Sequence, residues 1–230
     1  VRLGSKRIPK KNLRLINGKP LVSYIVEAAI NSNIFDEIYI NSESEDFKYI
    51  ADLYNINFYK RPSYLSSDDA TNDDFVEDFL NNVECDNLVQ LLATSPFMTP
   101  ETLILTKNEQ IECLYQKEPI NFIQKNKTLP SQLLKPIEVY ACGLMGWEKN
   151  KFLENMSKYS SGYHGGDGSV GTFQIKGYPT IDIDNEEDFK LAESIFKSFH
   201  EETVVEYFEP KKIKNVESDV PSILLKDGVK

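Results

Sequence analysis

Short apolar runs alternate with amphipathic stretches through the first hundred residues, and this alternation restricts the fold more than any other feature of the chain. After Pro20, placed where a first-turn proline is tolerated, the residues Leu21, Val22, Ile25, Val26, Ala28, Ala29 and Ile30 recur at helical spacing as far as Asn31. Glu37 to Ile40 reads as a strand, Glu43 to Tyr54 as a helix, Asn57 to Tyr59 as a strand and Asp73 to Asn81 as a helix. Leu88 to Leu92 is apolar except for Gln90, and Thr99 with Pro100 opens a further helix. Strands apolar on both faces and separated by helices predict an α/β sandwich around a mainly parallel sheet. From about 116 to 145 the pattern changes to short strand-like runs (Asn121 to Gln124, Ile137 to Leu144), which predicts an inserted β-rich arm. A helix from Trp147 to Lys158, a loop from Tyr159 to Gly171, strands at Thr172 to Ile175 and Thr180 to Ile183, and a helix from Asn185 to Phe199 complete one domain over 1–200. Residues 201–230 read as a tail or linker.

With 230 residues and 40% apolar content, the chain has enough material for one sizeable core. It contains no run of about 18 apolar residues, so no membrane span is expected, and its first residues do not read as a secretory signal. Cys85, Cys113 and Cys142 are widely spaced and odd in number, which suits a reducing cytoplasm better than a disulfide framework. The net charge of −10 disfavours a nucleic-acid surface. Its distribution is uneven. Residues 1–19 hold seven of the 26 basic side chains (Arg2, Lys6, Arg7, Lys10, Lys11, Arg14, Lys19) and no acid, leaving 19 bases against 36 acids elsewhere, a balance of −17. A positive pole on an acidic protein suits a small polyanion.

Two segments carry candidate chemistry. In Arg2 to Asn12, Gly4 permits close backbone approach to a ligand, Ser5 and main-chain N–H groups can donate to phosphate oxygens, and the cations can neutralise a triphosphate. Charge alone is equally compatible with a solvated loop. Gly18-Lys19 is followed by Pro20 and is therefore no Walker A element. Far along the chain, Asp182-Ile183-Asp184 with Asp188 stands between a predicted strand and the last helix. Alternate carboxylates on a strand share a face, so Asp182 and Asp184 can share one Mg²⁺ with phosphate oxygens; the plainer reading makes Asp184 or Asn185 a helix cap. The run Gly166 to Gly171 matches a dinucleotide fingerprint only formally, because a strand follows where a helix is required. His164 and His200 are too few for a histidine metal site. The acids Asp68, Asp69, Asp73, Asp74, Glu77 and Asp78 read as a solvated helix start, with the loop after Arg61 as a possible wall of a nucleotide pocket.

The string Arg2 to Asn12 followed by Gly18-Lys19-Pro20-Leu21 resembles the opening signature of the CMP-sialic acid synthetases, the N-acylneuraminate cytidylyltransferases. Further elements follow in that family's order: Lys60-Arg61-Pro62 with Leu65 and Asp68, the Thr94-Ser95-Pro96 turn, and Asp182-Ile183-Asp184 with Asp188 and Ala192-Glu193. The resemblance implies a Rossmann-like nucleotidyltransferase fold with the β-rich insertion as dimerisation arm, and a first strand preceding Val1. It implies a cytoplasmic homodimer that couples CTP to an acidic nonulosonic sugar, with Mg²⁺ as cofactor and Mn²⁺ as substitute. By position, Arg2, Gly4, Ser5, Lys11, Asn12 and Arg61 would bind the nucleotide, Asp182 and Asp184 the metal, and Arg2, Lys11 and Asp184 would be catalytic. The family commonly has Gln and Arg where this chain has Leu92 and Met98, Asn-Gly where it has Cys142-Gly143, and Arg-Gln where it has Ser131-Gln132. These differences lie on the sugar side and point away from ordinary N-acetylneuraminate towards pseudaminic, legionaminic or another nonulosonic acid, and they leave another nucleotide base open. A related sugar nucleotidyltransferase and a non-catalytic nucleotide-binding module are the alternatives.

Overall fold

The computed structural model describes residues 1–106, 111–117, 137–162 and 171–200. Within them lie β1 (Leu15–Ile16), β2 (Lys19–Pro20), α1 (Leu21–Ser32), β3 (Tyr39–Ser42), α2 (Asp46–Leu53), β4 (Asn57–Lys60), α3 (Asn72–Asn82), β5 (Asn87–Leu91), α4 (Pro100–Thr106), β6 (Ile111–Lys117), β7 (Ile137–Glu148), α5 (Lys149–Tyr159), β8 (Gly171–Ile175) and α6 (Glu186–Ser198). The anticipated strand at Asn121 to Gln124, His164 with its loop, and the tail lie outside the described residues.

Local chemistry explains the boundaries. Pro20 stands at the N-cap of α1 in an extended conformation, one residue outside the first turn, and belongs to the β1–β2 hairpin. Thr71 caps α3 in a reciprocal capping box with Asp74. Thr99 Oγ1 accepts from Thr102 N at 3.2 Å at the start of α4. Asn33, in the left-handed region at φ 51°, ends α1.

Parallel pairing is present where β3 meets β4 and where β6 meets β8. The four-stranded sheet has the order β5-β7-β6-β8, and β7 runs antiparallel to both its neighbours, so this sheet is mixed where the sequence pattern predicts a mainly parallel one. The reason is the length of β7: its last residues pair with β5 and its first with β6, so one 12-residue strand bridges two partners. The expected arm boundary near 145 therefore falls inside a strand of the sheet. Residues 118–136 lie outside the described part.

Two apolar clusters share α1. Val22, Ile25, Val26 and Ala28 pack with Ile40, Phe47, Leu103, Leu144 and Ile175 beneath the sheets. Leu21 belongs to a second cluster with Ile8, Ile16, Phe97, Ile183, Phe189, Ala192 and Phe196. The second cluster sets the site, because Ile8 lies in the basic loop and Ile183 in the acidic motif, and both are fully buried. Burying one such side chain contributes about 1.5–3 kcal/mol. A third cluster packs Val76 and Leu80 of α3 on Phe152 of α5.

Candidate functional site

Ile8 and Ile183 hold the basic loop against the acidic segment, and the polar groups around them complete the junction. Lys11 follows Lys10, which sits in the left-handed region at φ 50° and precedes a 3₁₀ turn over Lys11–Leu13. That turn directs Lys11 inward. Its Nζ donates to the Ile183 carbonyl at 2.6 Å and lies 3.8 Å from Asp184 Oδ1. Burial lowers the Lys11 pKa against the opposing fields of Asp184 and Asp182. Arg7 donates to Asp184 Oδ1 at 2.8 Å. Arg14 makes a two-pronged bond with Glu186 at 2.6 and 2.8 Å and lies over the Phe189 ring, 3.9 Å from its centroid.

Asp182 and Asp184 do not lie on a strand, contrary to the strand anticipated at Thr180 to Ile183. A 3₁₀ turn occupies Tyr178–Thr180, and the chain then runs extended without a sheet neighbour. Its main-chain groups find other partners. Ile183 N donates to the Thr94 carbonyl at 2.8 Å, Lys11 takes the Ile183 carbonyl, and Asp188 Oδ2 accepts from Asp184 N and Asn185 N at 2.9 and 3.0 Å. The helix cap is Asn185, whose side chain accepts from Glu187 N and Asp188 N, and Asp188 completes the capping box. Burial raises the Asp182 pKa, Thr94 opposes that rise and Asp184 adds to it. Oδ1 of Asp182 is buried with no hydrogen-bond partner among the described residues.

At its other end the loop is tied to residues 61–68. Arg2 reaches Ser66 O, Ser67 O and Asp68 Oδ1, each at 3.4 Å, and Lys6 pairs with Asp68 Oδ2 at 2.6 Å. The Lys6 hydrogen bond holds the Asp68 carboxyl below its ordinary range. A Cβ on Gly4 would meet nothing within 4 Å, so the space before it is open to a ligand. Ser5 Oγ accepts from Ile8 N at 3.4 Å, an acceptor role that keeps its own proton for donation. A groove of about 530 Å³ adjoins this end, lined by Tyr64, Leu65, Ser67, Asp69, Ala70 and Asp74 among others.

Asn12 and Arg61, expected as direct nucleotide contacts, are turned onto the loop's own backbone. Asn12 is 8% exposed and donates to Arg2 O at 3.2 Å. Arg61 is 3% exposed, donates to Val1 O at 2.7 Å, lies 3.4 Å from Glu43 Oε2 and stacks on Phe75. Both are buried because the loop's carbonyls need donors where water is excluded. Glu43 is the centre of that knot, accepting from Leu3 N at 2.8 Å and Ser66 Oγ at 3.0 Å.

The structure therefore brings Arg2, Gly4, Ser5 and Lys11 together along one loop, with Asp182 and Asp184 against its far end. Sequence reasoning counted Arg7 and Arg14 among the cations of the positive pole without foreseeing their carboxylate partners, and it missed Glu43 and the structural role of Ile8. Ile8 was legible as the lone bulky apolar residue between Lys6 and Lys11, whereas Glu43 had no local signal. Met98, where the family commonly has Arg, is buried, and a Cβ at residue 143 would stand 2.8 Å from its Cε and 3.0 Å from Ser95 Oγ.

The α/β arrangement, with its cation-rich loop closed on an acidic segment, is of the nucleotidyltransferase class by its family and by the solved structures it resembles. The chain belongs to the cytidylyltransferase family, whose model matches residues 1–141. It is 30% identical over 146 residues to the N-acylneuraminate cytidylyltransferase of Escherichia coli O18:K1:H7, covering 61% of this chain and 33% of that protein. It is 36% identical over 106 residues to a pseudaminic acid cytidylyltransferase of Campylobacter jejuni, covering 44% of this chain and 46% of that one. The chain thus spans less than half the length of either relative. Among solved structures, the fold is similar to CMP:2-keto-3-deoxy-manno-octonic acid synthetase complexed with CTP, with TM-score 0.65 and 15% identity over 86% of this chain and 96% of that one. It also resembles 4-diphosphocytidyl-2C-methyl-D-erythritol synthase from Anaerococcus prevotii, with TM-score 0.63 and 12% identity over 85% and 93%.

Proposed function

We propose that this chain carries the catalytic site of a cytidylyltransferase that joins CMP from CTP to an acidic nonulosonic sugar and releases pyrophosphate. The observation that carries the reading is the closure of the basic loop on the acidic motif, where Lys11 bonds Ile183 O at 2.6 Å and Arg7 bonds Asp184 at 2.8 Å. Cations and carboxylates some 170 residues apart in sequence thereby meet at one place. Family membership and relatives named for N-acylneuraminate and pseudaminic acid support the sugar class.

In this reading the oxygen of the sugar's anomeric hydroxyl forms a bond to the α-phosphorus of CTP and the hydroxyl proton is lost to solvent. The bond from that phosphorus to the bridging oxygen breaks, and pyrophosphate leaves with the electron pair. Such transfer needs alignment and charge neutralisation more than covalent help. Arg2 and Lys11 are the catalytic cations, while the open space at Gly4 and the Ser5 hydroxyl admit and orient phosphate oxygens. Asn12 and Arg61 shape the loop by holding Arg2 O and Val1 O.

Asp182 and Asp184 suit a hard divalent cation such as Mg²⁺, or Mn²⁺ in its place: both offer oxygen ligands, and Asp182 Oδ1 has no partner among the described residues. Among the described residues no group of three or more His, Cys, Asp or Glu is arranged for a metal, so substrate and water would complete its shell. Bound there, the ion would neutralise phosphate charge. Cytoplasmic location and a homodimer built through residues 116–145 belong to the same proposal.

The test is pyrophosphate release with CTP and Mg²⁺ across a panel of nonulosonic acids, with Asp184→Asn as control. Release that depends on one sugar and is lost in the control is expected. Release with a different nucleotide would overturn the CTP assignment, and silence throughout with nucleotide still bound would favour a binding module.

A further inference from the structure

Two cations of the basic loop converge on one oxygen of Asp184. Arg7 donates to Asp184 Oδ1 at 2.8 Å, and Lys11 Nζ lies 3.8 Å from the same atom. They are held differently. The Lys11 side chain is 11% exposed and is anchored by its bond to the Ile183 carbonyl at 2.6 Å. The Arg7 side chain is 64% exposed and engages the acidic segment through the carboxylate itself. The next residue, Ile8, is fully buried, so the backbone beneath Arg7 is pinned while its guanidinium stays at the surface, where a long side chain changes rotamer readily. Gly4 and Ser5, whose open space and hydroxyl are assigned to phosphate oxygens, precede Arg7 on the same loop.

Asp184 is also a proposed ligand of the divalent cation, and a guanidinium and a divalent ion on one carboxylate oxygen repel each other. We propose that Arg7 is a shared cation of the site: it pairs with Asp184 until a divalent ion takes that carboxylate, and it then neutralises the phosphate oxygens of the nucleotide that leave as pyrophosphate. The inference rests on the metal assignment above and deepens it. Arginine suits both positions, because its planar fork matches carboxylate and phosphate oxygens alike. The exposure of both partners makes the pair weak enough to exchange. The guanidinium passes from one anion to another and is never left without a counter-charge.

Arg7→Gln removes the charge and keeps a polar side chain; Arg7→Lys keeps the charge without the fork. Binding of Mn²⁺ alone is measured by electron paramagnetic resonance, and CTP binding in the presence of Mg²⁺ and absence of sugar by calorimetry, with thermal unfolding recorded on each protein. In Arg7→Gln, Mn²⁺ is expected to bind about 2- to 5-fold more tightly, the range that release of an exposed ion pair allows, and CTP several-fold more weakly. Arg7→Lys should fall between the two proteins in both readings. Lys6→Gln, which removes from the same loop a cation paired with Asp68, should leave Mn²⁺ affinity unchanged. Unchanged or weaker Mn²⁺ binding in a folded Arg7→Gln protein would overturn the exchange and leave the metal site standing. An equal gain in Lys6→Gln would overturn it too, since the effect would then come from loop charge and not from a shared carboxylate. Tighter Mn²⁺ binding with undiminished CTP affinity would overturn the phosphate role. Absence of Mn²⁺ binding by the wild-type protein while CTP binds would overturn the metal site itself, and this inference with it. If Arg7→Gln proves unfolded, Arg7→Ala takes its place under the same criteria.

Discussion

Glu43 shows how one partly buried side chain can hold a loop together through several hydrogen bonds at once. Burial alone would raise its pKa, but the N–H of Leu3, the Ser66 hydroxyl and the Arg61 guanidinium outweigh burial and hold it below the ordinary glutamate value. Stabilisation from a depressed carboxylate is fully present above its unfolded pKa, about 4.3, and is lost as pH falls through the folded value. Glu43→Gln is therefore expected to lower stability at neutral pH and to flatten the loss of stability below about pH 4.3. Urea midpoints of both proteins from pH 7 to pH 3 check this, and parallel pH curves would assign the charge no role. Arg61 carries the same lesson. Its sequence position suggests a ligand contact, and the structure adds a second task, since its burial at 3% exposure and its bond to Val1 O make it a brace as well.

At the scale of elements, α6 and the segment before it act as one unit. Asn185 caps the helix, while Asp188 reaches back to Asp184 N as well as Asn185 N, so the helix cap also fixes the backbone of a proposed metal ligand. Asn185→Ala is expected to cost about 1 kcal/mol in unfolding free energy. Asp188→Ala should cost a similar amount and lower kcat as well, because it alone releases the Asp184 N–H. Chemical denaturation together with steady-state kinetics separates the two effects; equal kcat in both variants would remove Asp188 from the site. The Arg14–Glu186 bond joins the same helix to the basic loop. That bond holds the Glu186 carboxyl below its ordinary range.

For the molecule as a whole, the uneven charge matters more than the total. The seven cations of residues 1–19 occur on a chain of net charge −10, so the long-range field repels a nucleotide and only the local pole attracts it. CTP affinity is expected to fall several-fold as salt rises from about 25 to 250 mM, because the Debye length is already only about 10 Å at 0.1 M. Lys6→Gln should reduce the slope of that dependence. Lys48→Gln, which removes a cation paired with Asp52 on α2, should leave the slope unchanged. Calorimetric titration at a series of salt concentrations tests both, and equal slopes for the two variants would count against the pole. Among the described residues no helix is long and apolar enough to cross a membrane.

Most helices and the order of elements were legible in the sequence, because apolar period, caps and turn residues act over a few neighbours. Thr71, Thr99 and Asn185 mark their helix starts as local rules require, and the runs of α1 and α6 show their buried faces. The basic loop and the acidic motif were legible for the same reason, since charge density and alternation can be read from the residues alone. Only the tertiary structure decided that the two meet, through Ile8 and Ile183 in one apolar cluster and Lys11 on the Ile183 carbonyl. It also decided that Asp182 and Asp184 lie on an extended segment with no strand beside it, that β7 bridges two antiparallel partners, and that Asn12 and Arg61 turn inward. These outcomes depend on hydrogen-bond partners distant in sequence, and local propensity does not say which donor a carbonyl will find once water is excluded.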